Sequence, residues 1–253
     1  MLRSLGYAAL GTLFTFFMTT LGAATVFFFQ RPTSGRVQRV LLGFAAGVMT
    51  AASVWSLLLP AIEQAEAEGC CPAFLPACAG ILLGTLFLAL LDALCPRLRR
   101  SGAESEAARS SRLLMSAITL HNIPEGMAVG LAFALASDGK SLAAAMALAL
   151  GIGVQNFPEG AAVSLPMREL GVSRLRAFWT GTLSGAVEPL FGVAVVLAAA
   201  GVHALMPWLL SFAAGAMLYV VAEELLPRAH GRGGSAGFIG GCLIMMALDV
   251  ALG

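Results

Sequence analysis

Charge is what this sequence has least of. Only 11% of its 253 residues are Asp, Glu, Lys or Arg, against roughly 25% in an ordinary soluble domain, and that scarcity argues against a water-soluble monomer. Nor does either sign dominate: fifteen basic and fourteen acidic residues leave +1, so there is no electrostatic footprint for nucleic acid, and no nucleic-acid partner is expected. The five cysteines follow no framework spacing, which removes a disulfide scaffold or a thiolate metal cluster as the organising device. No stretch reads as a separate soluble domain, and residues 1–253 are taken as one domain.

What fills the chain is apolar runs of bilayer length. About 20 helical residues cross a hydrocarbon core roughly 30 Å thick, and eight such runs lie near 4–29, 38–60, 73–95, 113–136, 141–165, 176–200, 203–226 and 236–253. Pro, Gly and clustered Arg separate them. Segments this long in lipid must satisfy their own backbone, so they are helices rather than strands. The expected fold is an all-α polytopic membrane protein with eight spans. Met1-Leu2-Arg3 ahead of the first run has a flavour of a secretory signal, but that run is too long for a signal core and the chain after it is itself membranous.

The basic residues orient the spans. With the N-terminus outside, thirteen of the fifteen fall on inner loops, among them Arg31, Arg36 and Arg39, Arg97 to Arg112, Arg168 to Arg176, and Arg228 and Arg232. Only Arg3 and Lys140 lie opposite. The positive-inside rule then predicts a multi-pass protein of the cell (inner) membrane with both termini outside the cytoplasm.

Sorted by depth, three carboxylates stand out. Glu125 lies about thirteen residues into the fourth span, Glu159 about eighteen into the fifth and Glu188 about twelve into the sixth, central to inner-central depths at 1.5 Å per residue. Each would cost roughly 2.5–3.5 kcal/mol facing lipid at a helix centre. They must face each other, water or a cation.

Two of them sit in one repeated pattern, x-Asn-x-Pro-Glu-Gly: His121-Asn122-Ile123-Pro124-Glu125-Gly126 and Gln155-Asn156-Phe157-Pro158-Glu159-Gly160. Spacings of three and four put His121, Asn122 and Glu125 toward one side of a helix, and Gln155, Asn156 and Glu159 likewise. Each proline lacks an N–H and crowds the carbonyl four residues back, those of Leu120 and Val154, so both helices are expected to kink at the cluster. Freed carbonyls at that depth are tolerated where they line a cavity or an ion site. Successive spans run in opposite directions, which makes the two motifs an inverted pair, and Glu188-Pro189 adds a third wall. Imidazole, carboxylate and amide oxygens suit a zinc- or iron-type divalent ion better than magnesium or potassium, and the lack of thiolate argues against copper(I).

These paired motifs, together with Ser184-Gly185-Ala186-Val187-Glu188-Pro189, resemble the ZIP (Zrt-, Irt-like protein) family of divalent metal transporters, in its GufA-like prokaryotic branch. The resemblance covers essentially the whole chain. It implies passage of zinc toward the cytoplasm, with cadmium, iron and manganese as further cargo, through a binuclear centre. One metal would sit on His121, Glu125, Gln155 and Glu159, and a second on Asn122, Asn156 and Glu188, with Glu125 and Glu159 bridging. Met49, in Gly47-Val48-Met49-Thr50, looks like the thioether that some relatives add to the first position. Many relatives have His at the place of Gln155, and some have Asp at that of Asn156.

Ser56 and Glu63 continue the Met49 face toward the outer mouth, where Glu63, Glu66 and Glu68 read as an acidic loop and Asp249 as a second cation-gathering residue. Glu223, Glu224 and His230, at the inner end of span seven, are the implied release path. No cofactor is required. The lipid bilayer and divalent metal ions are the expected partners, and Gly43-x-x-x-Gly47 permits close helix packing or a homodimer. The rival is an intramembrane metal-dependent hydrolase using the same ligands, for which the chain lacks the His-Glu-x-x-His signature.

Overall fold

The computed structural model describes residues 2–28, 35–69, 72–98, 106–136, 139–169, 171–199 and 203–252. Helix α1 runs over Leu2–Ala24 and ends in a short 3-10 turn, Thr25–Phe27. Helix α2 (Gly35–Ala51) passes through a wider turn, Ala52–Leu58, into α3 (Leu59–Glu68). Then come α4 (Phe74–Leu98), α5 (Glu106–Leu135) and α6 (Gly139–Glu169). The sixth span is two helices, α7 (Arg174–Gly185) and α8 (Val187–Ala199). The seventh is α9 (Met206–Val220), a second wide turn (Val221–Leu225) and α10 (Leu226–Arg228), and α11 (Arg232–Leu252) closes the chain.

Among the described residues, seven runs are long and apolar enough to cross a membrane; α5 contributes the remaining apolar stretch, Asn122–Leu135. Leu82, Leu83, Leu86 and Leu90 on α4 and Ile239, Leu243 and Val250 on α11 are exposed, as lipid-facing positions must be when the surrounding solvent is hydrocarbon. The chain is a multi-pass all-α membrane protein.

Two boundaries differ from the sequence reading. Span two does not stop near residue 60 but stays helical to Glu68, where Gly69 takes a left-handed φ of 63° and returns its N–H to the Ala65 carbonyl. Glu63, Glu66 and Glu68 therefore belong to the last turns of a helix and not to a loop; the run Ala65-Glu66-Ala67-Glu68 is made of good helix formers, and glycine supplies the stop. Span six, expected as one helix over 176–200, is interrupted at Ala186, whose N–H bonds the Leu183 carbonyl. The interruption puts Pro189 in the first turn of α8, where a missing N–H removes no helical bond.

The wide turns also have a local cause. Both carry i to i−5 bonding, Leu59 N–H to Val54 and Leu226 N–H to Val221, and both precede a proline in the same tripeptide, Leu58-Leu59-Pro60 and Leu225-Leu226-Pro227. A proline ring crowds the carbonyl four residues back, and widening the preceding turn relieves it.

Helices associate foremost as four pairs: α1 with α6, α2 with α11, α4 with α9, and α5 with α8. Each pair closes on glycine. A Cβ at Gly22 or Gly160 would strike the backbone across the α1–α6 seam; at Gly43, Gly47, Gly237 or Gly241, across α2–α11; at Gly84 or Gly215, across α4–α9; at Gly126 or Gly130, across α5–α8. In lipid, where no water is released on association, such close approach supplies the packing energy. The Gly43–Gly47 stripe is thus occupied inside the chain by α11. Helix α1 packs with α5 to α8 as one group, against which α2 and α11 lie along α6 and α9 lies along α5. Both Pro-Glu-Gly motifs and Glu188 lie in that group.

Candidate metal centre

Asn122, Glu125, Gln155, Asn156 and Glu188 are each at most 1% exposed, and Glu159 is 5% exposed. Helices α5 and α6 run on through Pro124 and Pro158, so each motif is carried on one continuous helix. Gly126 lets the backbone of α8 come directly against α5 at Glu188. That contact brings the third carboxylate to the first motif. Glu188 is the second residue of α8, where the helix dipole favours a negative charge.

The amide side chains are oriented by what they touch. Asn122 Nδ2 donates to the Ser184 carbonyl at 2.8 Å, Gln155 Nε2 donates to Glu125 Oε1, and Asn156 Nδ2 donates to Glu188 Oε2 at 2.9 Å and to the Thr15 carbonyl at 3.4 Å. Every one of these neighbours is an acceptor, so the nitrogen must face it and the oxygen must face away. Asn122 serves the interruption of span six in the same stroke, since Ser184 is one of the last residues of α7 and its carbonyl lies where the helical bonding gives out.

The consequence is a set of acceptors with nothing to accept. Asn122 Oδ1, Glu125 Oε2, Gln155 Oε1, Asn156 Oδ1 and both oxygens of Glu159 are buried without a hydrogen-bond partner, six of the nine such atoms among the described residues. Burying one polar atom unsatisfied costs about 1–3 kcal/mol, more for a charged one. Six on two facing motifs form an all-oxygen surface of one sign, suited to a cation and hostile to an anion. Glu159 and Glu188 are electrostatic neighbours of Glu125. Among the described residues, however, no three His, Cys, Asp or Glu side chains close into a ready-made metal cage; the acceptor set depends on its amides. The side chain of His121 lies outside the described residues.

The family model of the ZIP Zinc transporter matches residues 96–249, a stretch that contains all three carboxylates. The chain belongs to the ZIP family. It is 38% identical to Zinc transporter ZIP11 of Homo sapiens, over 97% of both chains. Against Zinc transporter GufA of Myxococcus xanthus it is 37% identical over 93% of this chain and 94% of that one. Zinc transporter ZIPB of Bordetella bronchiseptica is 39% identical over 98% of this chain and 82% of its own. These relatives support the GufA-like branch of ZIP, and a family of transporters leaves the hydrolase reading without footing.

The other residues singled out in this ZIP chain divide. Met49 is fully buried in the main apolar core on α2. Ser56 and Asp249 are brought together, the serine hydroxyl donating to Asp249 Oδ1 at 3.0 Å. Glu63 is exposed on α3. Glu223 is exposed on the second wide turn, and Glu224 beside it bonds Arg228 at 2.6 Å. His230 is exposed at the edge of a cavity of about 350 Å³ that Leu226, Ala229 and Phe238 also line.

Sequence reasoning missed Thr15, Thr19 and Ser184. Thr19 is 1% exposed and its hydroxyl lies 3.1 Å from Glu188 Oε1. A signal existed: Thr12, Thr15 and Thr19 recur at three and four residues, a stripe of hydroxyls on one face of an otherwise apolar first span. The partner of Thr19 stands 169 residues away, and no local pattern announces it.

Proposed function

We propose that this protein carries a divalent metal ion, zinc foremost, across the membrane toward the cytoplasm, through a midmembrane centre between α5, α6 and the interruption of span six. The observation that carries this reading is the set of six buried, unpartnered acceptor oxygens on the paired Pro-Glu-Gly motifs. A cation satisfies such a set without a donor from the protein. The names of the relatives, zinc transporters from a human, a myxobacterium and a Bordetella, agree with it.

In this reading His121, Glu125, Gln155 and Glu159 hold the first ion, with Met49 as an auxiliary thioether. Asn122, Asn156 and Glu188 form a second position, bridged by Glu125 and Glu159. Mixed imidazole, carboxylate and amide ligands accept zinc and the neighbouring metals cadmium, iron and manganese. Glu63 and the Ser56–Asp249 pair stand at the outer mouth. Glu223, Glu224 and His230 line the way out, and the whole chain acts as one transport unit with its arginine-rich helix ends on the cytoplasmic side.

Flux of radioactive zinc into liposomes holding the purified protein tests this. Glu125→Ala and His121→Ala each reduce flux to the background of empty liposomes. Undiminished flux in both variants overturns the site.

A further inference from the structure

The cavity beside His230 lies apart from the metal centre, where α10 turns into α11, and its volume of about 350 Å³ is that of a small-molecule site. Its lining is divided. His230 and Ser235 are polar, whereas Leu226, Phe238 and Ile239, each deeper along its helix, are apolar; none of the described residues that line it is a carboxylate.

Charge gathers around the polar part. Arg232 follows Gly231 of the lining and is exposed. The start of α2 abuts the same turn, since a Cβ on Gly233 would lie 3.2 Å from Val40 and 3.9 Å from the Arg36 carbonyl, and Arg36 and Arg39 are exposed there. With Arg228 that makes four arginines against Glu223 and Glu224, and Glu224 is already committed to Arg228 at 2.6 Å. The apolar part runs on into lipid. Ser235, Ile239 and Leu243 recur at four residues on one stripe of α11, and Ile239 and Leu243 are 59% and 53% exposed. Eight residues of helix cover about 12 Å, most of the roughly 15 Å that one leaflet's hydrocarbon occupies.

We propose that this cavity binds an anionic phospholipid of the cytoplasmic leaflet, its phosphate held by Arg232 and His230 and one acyl chain laid along Ile239 and Leu243. The guanidinium fork and the imidazole N–H are donors that match phosphate oxygens, and the surplus of arginine favours an anionic over a zwitterionic headgroup. A free phosphate would use only the polar part and leave the stripe from Ile239 to Leu243 without a role; a phospholipid uses both. The leaflet follows from the orientation set by the arginines, and the binding itself does not depend on the metal centre.

Native mass spectrometry of the full chain in detergent, titrated with phosphatidylglycerol and with phosphatidylcholine of the same acyl chains, tests it. The wild type retains one phosphatidylglycerol, about fivefold or more tighter than phosphatidylcholine. Arg232→Gln weakens that binding about fivefold, as loss of one cationic contact to an anionic headgroup requires. Ser235→Trp, which fills the cavity, removes it, and Arg232→Gln, on the surface, carries the test if Ser235→Trp does not fold. Arg174→Gln, exposed at the start of α7 on the same side of the membrane, leaves binding unchanged, and inorganic phosphate in large excess does not displace the lipid. Equal retention of the two lipids overturns the proposal, as does an equal loss in Arg174→Gln, which would mean general attraction to a basic face. Displacement by inorganic phosphate overturns it in favour of a free-phosphate site.

Discussion

Ser56, in the wide turn of the second span, and Asp249, three residues from the end of α11, share a hydrogen bond of 3.0 Å across 193 residues of sequence. The bond ties the C-terminal halves of spans two and eight and fixes a carboxylate between them. If that carboxylate gathers ions, its loss weakens capture and leaves the later steps alone. Asp249→Asn is expected to raise the KM of zinc flux several-fold, about 3- to 10-fold, with kcat little changed, as loss of uniform binding requires. Ser56→Ala has a smaller effect, and the double variant is no worse than Asp249→Asn, because the two act as a unit. Initial rates over a range of zinc concentrations check this.

Glycine is demanded in one place and idle in another. A Cβ at Gly126 collides with the backbone of α8 at Glu188, whereas one at Gly240 meets nothing within 4 Å. Gly126→Ala must push α5 from α8 and is expected to cost about 1–3 kcal/mol of stability and most of the flux. Gly240→Ala, by contrast, is neutral or stabilising by up to about 1 kcal/mol. Thermal unfolding in detergent and liposome flux separate the two.

The Glu224–Arg228 ion pair is short, 2.6 Å, but its side chains are 22% and 43% exposed. An exposed i, i+4 pair contributes little. Arg228→Ala is expected to change stability by less than about 0.5 kcal/mol, while Glu224→Ala slows zinc release. The contrast is read from unfolding curves and from the rate at which preloaded protein gives up zinc to a chelator.

Orientation has a direct check. Ala67, near the end of α3, and Ser235, in the first turn of α11, are both exposed and lie at opposite ends of the spans. In a cysteine-free background, a membrane-impermeant maleimide added to intact cells is expected to label Ala67→Cys and to leave Ser235→Cys unlabelled until the cells are opened. The reverse pattern would invert the topology.

The sequence made the spans and the three carboxylates legible because both are local: an apolar run declares its own length, and a glutamate inside it declares its own cost. Pro124-Glu125-Gly126 and Pro158-Glu159-Gly160 were readable as facing motifs for the same reason. The end of span two was misjudged because Glu63, Glu66 and Glu68 look like a solvated connection, although their helix propensity and Gly69 were in plain view. The break at Ala186 was foreshadowed by Pro189, which sits comfortably only in a first turn. What the sequence did not disclose is the part made by contacts between distant residues. The bond of Thr19 to Glu188, the bond from Asn122 to Ser184 and the orientation of the three amides all depend on packing across spans.

Those amide oxygens have one more effect, on voltage. A centre that offers acceptors alone gives a free anion no donor to bind. A divalent ion crossing with its full charge would have work done on it by an inside-negative potential, about 4.6 kcal/mol at 100 mV for two elementary charges. That is a concentration ratio of roughly a thousandfold or more across the membrane at equilibrium. If metal passes through this centre, the orientation of Asn122, Gln155 and Asn156, set by neighbours that only accept, ties that passage to the membrane's electrical gradient.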